Sequence, residues 1–246
     1  MDISLLITTH QRAHLLEQSL DRLLGLTLPA ELIVVDDGGD DATPEIVAEF
    51  GTRSGVETTY IYTHNPGAQL CSHARNVGIK RAKYDWIVTS EPELCFRTDA
   101  LAQFPELQSR HPKMVISTGR VFFAPDGAAP VFEGEPGWEV AHVWTAPHAA
   151  LWKREWLLAV GGWDEGFPGA WGWDDTDLLT RLRLSGHGQY IAPEIEAVHL
   201  WHPLGGDTDS QNEEYFRARS FIVDESDLTD LVANKEGEWG IAKPRP

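Results

Sequence analysis

The sequence predicts an α/β fold in which a mostly parallel sheet is flanked by helices on both faces. Two observations carry this. Short apolar runs alternate with helix-spaced segments through the first hundred residues, and three of those runs end in polar clusters. Ile3 to Ile7 is a continuous apolar run, the pattern of a buried strand. Leu15, Leu16, Leu20, Leu23 and Leu24 then recur at helical spacing between His14 and Leu24, and Pro29 breaks the pattern. Leu32 to Val35 is a second buried strand. Pro44 to Phe50 suits a helix with Thr43 as N-cap, Thr59 to Thr63 a third strand, Ser72 to Lys83 a helix, and Trp86 to Thr89 a fourth strand. Such alternation argues for parallel βαβ units.

Beyond residue 110 the pattern changes. Met114 to Ala124 reads as one or two strands, and Pro125 to Pro147, rich in Pro, Gly and Trp, as a long loop or lid. Lys153 to Val160 suits a helix, as does Asp175 to Leu184, which Ser185-Gly186 ends. Gln189 to Ala192 is a short strand, and Val198 to Pro203 carries His199 and His202. From Gly205 the chain is polar and acidic, with one helix expected around Asn212 to Ile222 and then a poorly anchored tail.

Composition limits the function. Lys and Arg number 20 against 38 Asp and Glu, a net charge of −18, which argues against a nucleic-acid or anionic-membrane binder. Local basic spots can still hold a small phosphate ligand. Cys71 and Cys95 form no CxxC pattern and read as free thiols of a reducing compartment. The apolar stretch after Asp2 ends at Thr8, too short for a signal peptide, and no run approaches an integral membrane segment. The expected location is cytoplasmic.

In open parallel sheets ligands bind beyond the carboxyl ends of the strands. Those ends here carry Thr8-Thr9-His10-Gln11-Arg12, Asp36-Asp37-Gly38 and Ser90-Glu91-Pro92-Glu93. There is no GxGxxG and no P-loop pattern. Trp171-Gly172-Trp173-Asp174-Asp175-Thr176-Asp177 is the most informative stretch. Aromatic faces beside carboxylates suit a site that stacks sugar rings and takes protons from hydroxyls. The plain alternative is a capped helix start with first-turn acids, Asp177 and Arg181 forming an i,i+4 pair. Asp36 and Asp37 likewise read either as ligand acceptors or as a turn before Gly38-Gly39.

Taken in series, these residues resemble the GT-A fold glycosyltransferases of family 2. Ile3 to Arg12 is similar to the opening strand and loop of that family, Leu32 to Gly39 to its second strand, and Ala74 to Ile79 to the helix before its metal motif. Gly161-Gly162-Trp163-Asp164-Glu165 with Trp171 to Asp175 resembles the acceptor-side motif of the β-1,4-galactosyltransferases and polypeptide N-acetylgalactosaminyltransferases. The resemblance implies a mixed, mostly parallel Rossmann-like sheet over residues 1–205. Residues 1–97 would form the nucleotide-sugar half, 98–205 the acceptor half and 206–246 an acidic C-terminal helix and tail.

It also implies inverting transfer from a nucleotide-sugar, usually a UDP-sugar, to a glycan or other hydroxyl acceptor. Thr8, Thr9, Arg12, Asp36 and Arg75 would line the nucleotide pocket. Asp175 would be the general base, and Asp174, Trp171, Trp173 and Gly162 would meet the acceptor. The family's Asp-x-Asp metal motif is replaced by Glu91-Pro92-Glu93. Glutamates still ligate a hard divalent ion, and His199 and His202 are candidate further ligands, a mixture that suits Mn²⁺ better than Ca²⁺; the expected cofactor is a divalent metal, Mn²⁺ (or Mg²⁺). Either histidine alternatively stacks on Trp201 or caps a strand. Trp138 or Trp144 would sit in a mobile loop closing over the donor. The rival function is a GT-A-like nucleotide-sugar or glycan-binding protein without catalysis.

Overall fold

A computed structural model describes residues 1–64, 71–141, 147–169, 172–203, 209–219 and 231–244. The expected alternation holds through β1 (Ile3–Thr9), α1 (Ala13–Leu23), β2 (Glu31–Asp37), α2 (Thr43–Ser54), β3 (Glu57–Thr63), α3 (Cys71–Arg81) and β4 (Trp86–Ser90). There follow β5 (Leu94–Phe96), α4 (Ala100–Arg110), β6 (Met114–Phe123), β7 (Val140–Ala141), β8 (Ala150–Lys153), α5 (Arg154–Ala159), α6 (Asp174–Leu184), β9 (Gly188–His199) and α7 (Asp209–Ala218). One sheet runs β3-β2-β1-β4-β8-β6-β9-β5, with β7 on β6. Its first four strands are parallel. β8 is antiparallel to both neighbours, and β9 is parallel to β6. The fold is the mixed α/β arrangement of the GT-A type.

Successive residues of β1 serve opposite faces, as a pleated strand requires. Leu5 and Ile7 join Leu16 and Leu20 of α1 on one side, whereas Leu6 joins Ala74, Val77 and Ile79 of α3 on the other. Both faces are covered, so the central strands are apolar throughout.

Local chemistry departs from the sequence reading in several places. Thr43 is not an N-cap but the first helical residue of α2. Its N–H and hydroxyl donate to Asp41, whose other oxygen accepts the Ala13 N–H at the start of α1, so one carboxylate orders two helix starts. β5 and α4 give little sequence signal. β5 has three residues, and α4 carries Pro105, which reads as a breaker; Asp99 caps the helix by accepting from the Ala102 N–H. β9 is twelve residues long rather than four, because the proline that seems to end it is absorbed by a register shift. Opposite Pro193, which has no N–H to give, β6 shifts between Thr118 and Arg120 and pairing then resumes.

α7 begins before the expected Asn212, and residues 220–222 lie outside the described ones. The loose tail is corrected over residues 231–244. Leu231 and Ala233 are buried, the Asn234 amide donates to the Gly161 and Trp163 carbonyls, and the Lys243 carbonyl accepts from His64 N–H beyond β3. Among the described residues no helix is long and apolar enough to cross a membrane.

The register shift in β6 sets how β9 is delivered to the site. A methyl added at Gly119 would lie 2.3 Å from the Ala192 carbonyl oxygen and 2.6 Å from the Pro193 nitrogen, both backbone atoms. Gly119→Ala therefore lowers stability by roughly 1–3 kcal/mol in urea unfolding. A change below about 0.5 kcal/mol, the size of a neutral surface substitution, would contradict that reading.

Candidate active site

One face of α3 is polar and buried, and it meets the segment from Gly162 to Asp175. Residues i, i+3 and i+4 share a helix face, which here means Ser72, Arg75 and Asn76. Ser72 Oγ donates to Asp174 (3.2 Å), and Arg75 Nη1 donates to Asp174 (2.8 Å) and to Asp175 (3.3 Å). Asn76 donates to the Trp163 carbonyl (2.8 Å) and Glu165 (2.9 Å) and accepts the Trp163 N–H (2.9 Å). Next to them, His73 Nδ1 pairs with Glu165 (3.0 Å). Two sequence motifs ninety residues apart are thus halves of one hydrogen-bonded interface.

The acids divide by environment. Trp173 adopts a left-handed backbone (φ +65°) at the start of α6 and turns the following acids onto α3. Asp174 is buried, and burial followed by the neighbouring Asp175 charge raises its carboxyl to about 7 despite Arg75. Its Oδ2 accepts from both Ser72 and Arg75. Asp175 is the more open of the two, 15% against 7% for their side chains, and accepts a 2.7 Å hydrogen bond from Trp163 Nε1. Burial works to lower the Arg75 pKa, but Asp175 and Asp174 outweigh it and the guanidinium stays charged.

Asp177 was expected only to support the helix through Arg181. The pair is in fact wholly buried at 2.8 Å, and Arg181 also donates to the Val160 (2.6 Å) and Gly162 (2.8 Å) carbonyls. Gly162 itself is buried with φ +70°, and a Cβ there would meet the Asn76 side chain at 2.3 Å. Close packing therefore accounts for that glycine without an acceptor contact. Trp173 lies against Phe216 of α7, with ring centroids 5.4 Å apart. Trp171 and Trp144 lie outside the described residues. Trp138 is partly buried against the Leu15, Phe122 and Val198 cluster, so its ring is packed into the protein.

A second group gathers where β4 and β9 end and β8 begins. Glu93 is buried; Arg12 contacts its Oε1, His202 Nε2 approaches it at 3.1 Å and His199 Nε2 at 3.8 Å. Burial opposes ionisation, but the His202 hydrogen bond and the Arg12 charge hold the carboxyl at about 2. Its Oε2 is buried with no hydrogen-bond partner among the described residues. Glu91 pairs with His148 at 2.7 Å. Ligand atoms of Glu91, His148 and His199, and of Glu93, His199 and His202, lie within 4.8 Å of one another. The four metal-ligand candidates of the sequence are therefore together, and the orphaned Glu93 oxygen fits a bound cation. His148 was missed because a lone histidine at the end of a Pro/Gly/Trp-rich loop has no spacing to mark it.

The nucleotide candidates are less uniform. Thr8 and Thr9 end β1, and the buried Thr9 hydroxyl has no partner among the described residues. Asp36 accepts the Gly39 N–H (2.8 Å) and the Tyr60 hydroxyl (2.8 Å), so it also builds the turn that was its plain alternative. Arg12 reaches the Glu93 pole and Arg75 the acid pair. The two poles lie close enough to interact: Asp175 is among the charges that raise the His148 pKa, and Glu91 among those that raise that of Arg75. Cys71 and Cys95 are free, and burial raises both thiols to about 12.

Asp174 gives the site a pH signature. A carboxyl raised from 3.8 to about 7 on folding binds more protons folded than unfolded, so its contribution makes stability fall as pH rises between those values. In Asp174→Asn that component disappears. Urea unfolding at about pH 5 and about pH 8 should show a smaller loss than in wild type, and an equal loss in both would contradict the burial argument.

The comparisons with known proteins agree with this geometry. Residues 4–143 match the model of "Glycosyl transferase family 2". Poly-beta-1,6-N-acetyl-D-glucosamine synthase of Staphylococcus epidermidis is 27% identical over 48% of this chain and 28% of its own length, so the chain spans under a third of that relative. Among solved structures, S. aureus TarS 1-349 in complex with UDP aligns over 82% of this chain and 61% of that one, with 16% identity and TM-score 0.62. The mannosyltransferase PcManGT from Pyrobaculum calidifontis, in complex with GDP-Man and Mn²⁺, aligns over 80% and 56%, with 21% identity and TM-score 0.59. A mixed GT-A sheet, a carboxyl-end site and a family match over more than half the sequence lead to one conclusion: the chain belongs to glycosyl transferase family 2.

Proposed function

We propose that this enzyme transfers a sugar from a UDP-sugar to an acceptor hydroxyl with inversion, and that Asp175 is the general base. One observation carries the reading. Asp175 is a partly exposed carboxylate fixed by Trp163 Nε1 and Arg75 at a helix N-terminus, within electrostatic reach of the Glu91/His148 pole. The acceptor oxygen attacks the anomeric carbon, the bond from that carbon to the diphosphate oxygen breaks, and the hydroxyl proton passes to Asp175. Trp163 Nε1 and Arg75 both donate to its Oδ1, so the carboxylate is positioned before the acceptor arrives. The alcohol becomes acidic only as the new bond forms, so the proton moves late.

Thr8, Thr9 and Arg12 are proposed to meet the nucleotide, with Asp36 and Arg75 bounding that pocket while protein groups hold their polar atoms. Asp174 keeps Arg75 in place. Trp173 and Trp171 are proposed to border the acceptor. Glu91, Glu93, His199 and His202 would hold a divalent ion, Mn²⁺ or Mg²⁺, whose chemistry when bound is to neutralise the departing diphosphate. UDP in one structural neighbour and GDP-Man with Mn²⁺ in another support a nucleotide-sugar donor and a metal. A glycan is the proposed acceptor class. The free Cys71 and Cys95 support a cytoplasmic location.

Asp175→Asn tests the assignment. With Mn²⁺ and a panel of UDP-GlcNAc, UDP-glucose, UDP-galactose and GDP-mannose, donor turnover should fall by roughly 10²-fold or more. UDP affinity should stay within about twofold, because the base makes no ground-state contact with the nucleotide. Wild-type turnover in the variant would sink the assignment.

A further inference from the structure

We propose that His148 is a ligand of the divalent ion, and that the centre it completes is rich enough in imidazole to prefer a borderline transition-metal ion to magnesium. The proposal rests on the metal-assisted reading above and adds a residue and a selectivity to it.

Strand register brings His148 to the site. β4 and β8 pair antiparallel with Thr89 opposite Ala150, and extending that register by two residues sets Glu91 opposite His148. On the other side, Leu94 of β5 pairs with His199 of β9, which places Glu93 beside His199. Phe123 pairs with His199 across β6 and β9, and its ring lies 4.9 Å from His199 and 5.8 Å from His148. The Phe123 ring is an apolar wall shared by both imidazoles. The His199 ring is 5.2 Å from His148 and 5.2 Å from His202, so it neighbours both.

The polar atoms are spaced like a coordination shell. Glu91–His148 is 2.7 Å, Glu93–His202 3.1 Å and Glu93–His199 3.8 Å. Neighbouring donors on one ion with bonds of about 2.1 Å are separated by similar distances. Glu93 Oε2, buried and without a partner among the described residues, has the acceptor capacity that such an ion would use. Hydrogen bonding within the Glu91–His148 pair explains that contact alone, but not the orphaned oxygen, nor the convergence of three histidines. Magnesium takes oxygen ligands and gives up water reluctantly, whereas imidazole suits Mn²⁺, Co²⁺ and Zn²⁺ increasingly well along the first-row series.

The test uses metal-stripped protein titrated with Co²⁺ alone and with Mg²⁺ alone, followed by visible d–d absorption and calorimetry. Wild type should bind Co²⁺ at least about tenfold more tightly than Mg²⁺. His148→Gln should weaken Co²⁺ by roughly tenfold or more and alter the d–d bands, with Mg²⁺ affinity little changed. Copper EPR of the unmutated protein should count three imidazole nitrogens, a readout that needs no variant to fold. Two nitrogens, or a His148→Gln protein with wild-type Co²⁺ affinity and spectrum, would overturn the role of His148 alone. A wild-type protein that binds no divalent ion would overturn both this inference and the metal-assisted reading.

Discussion

A single cation shared by two carboxylates fixes how the halves of this molecule meet. Arg75 stands on α3, which packs on β1 and β2, and its guanidinium reaches Asp174 and Asp175 at the start of α6. Removal from water disfavours all three charges, and one positive group cannot compensate two negative ones. The imbalance falls on Asp174, whose carboxyl rises to about 7, while Asp175 is the more open of the two. Ser72, His73 and Asn76 extend the same contact toward Trp163 and Glu165. The acids at the start of α6 are thereby registered against α3 by directional bonds as well as by apolar packing.

The second centre depends on sheet geometry. β8 runs antiparallel between β4 and β6, and β9 returns parallel to β6, so the ends of β4 and β9 and the start of β8 converge. That convergence gathers Glu91, Glu93, His148, His199 and His202 from distant parts of the sequence. Arg12, in the loop after β1, touches the same Glu93. These polar groups therefore lie at one end of the sheet, where the proposed sugar transfer needs a cation pole for the diphosphate and a base for the hydroxyl.

Much of this was legible from residue order. The apolar runs marked the central strands because both faces of β1 and β2 are covered, and Glu91, Glu93, His199 and His202 stood at strand ends. What escaped detection depended on long-range pairing. β9 looked short because Pro193 and Glu194 interrupt the apolar run after Ala192, whereas the shift near Gly119 lets the ladder resume. His148 has meaning only through the register of β4 and β8. Asp174 and Asp175 are adjacent residues of one chemical type, so nothing local separated the buried partner of Arg75 from the open one. Gly162 read as part of an acceptor motif, although packing against Asn76 already demands a glycine there.

The central claim is that the Glu/His pole and the first-strand loop act together on a nucleoside diphosphate. Calorimetric titration of UDP into metal-stripped protein, with and without added Mn²⁺, tests it most directly. The account predicts binding that is at least about tenfold tighter with the ion present, because the diphosphate and the carboxylates otherwise repel. UDP affinity that is identical with Mn²⁺ and with a chelator would contradict it.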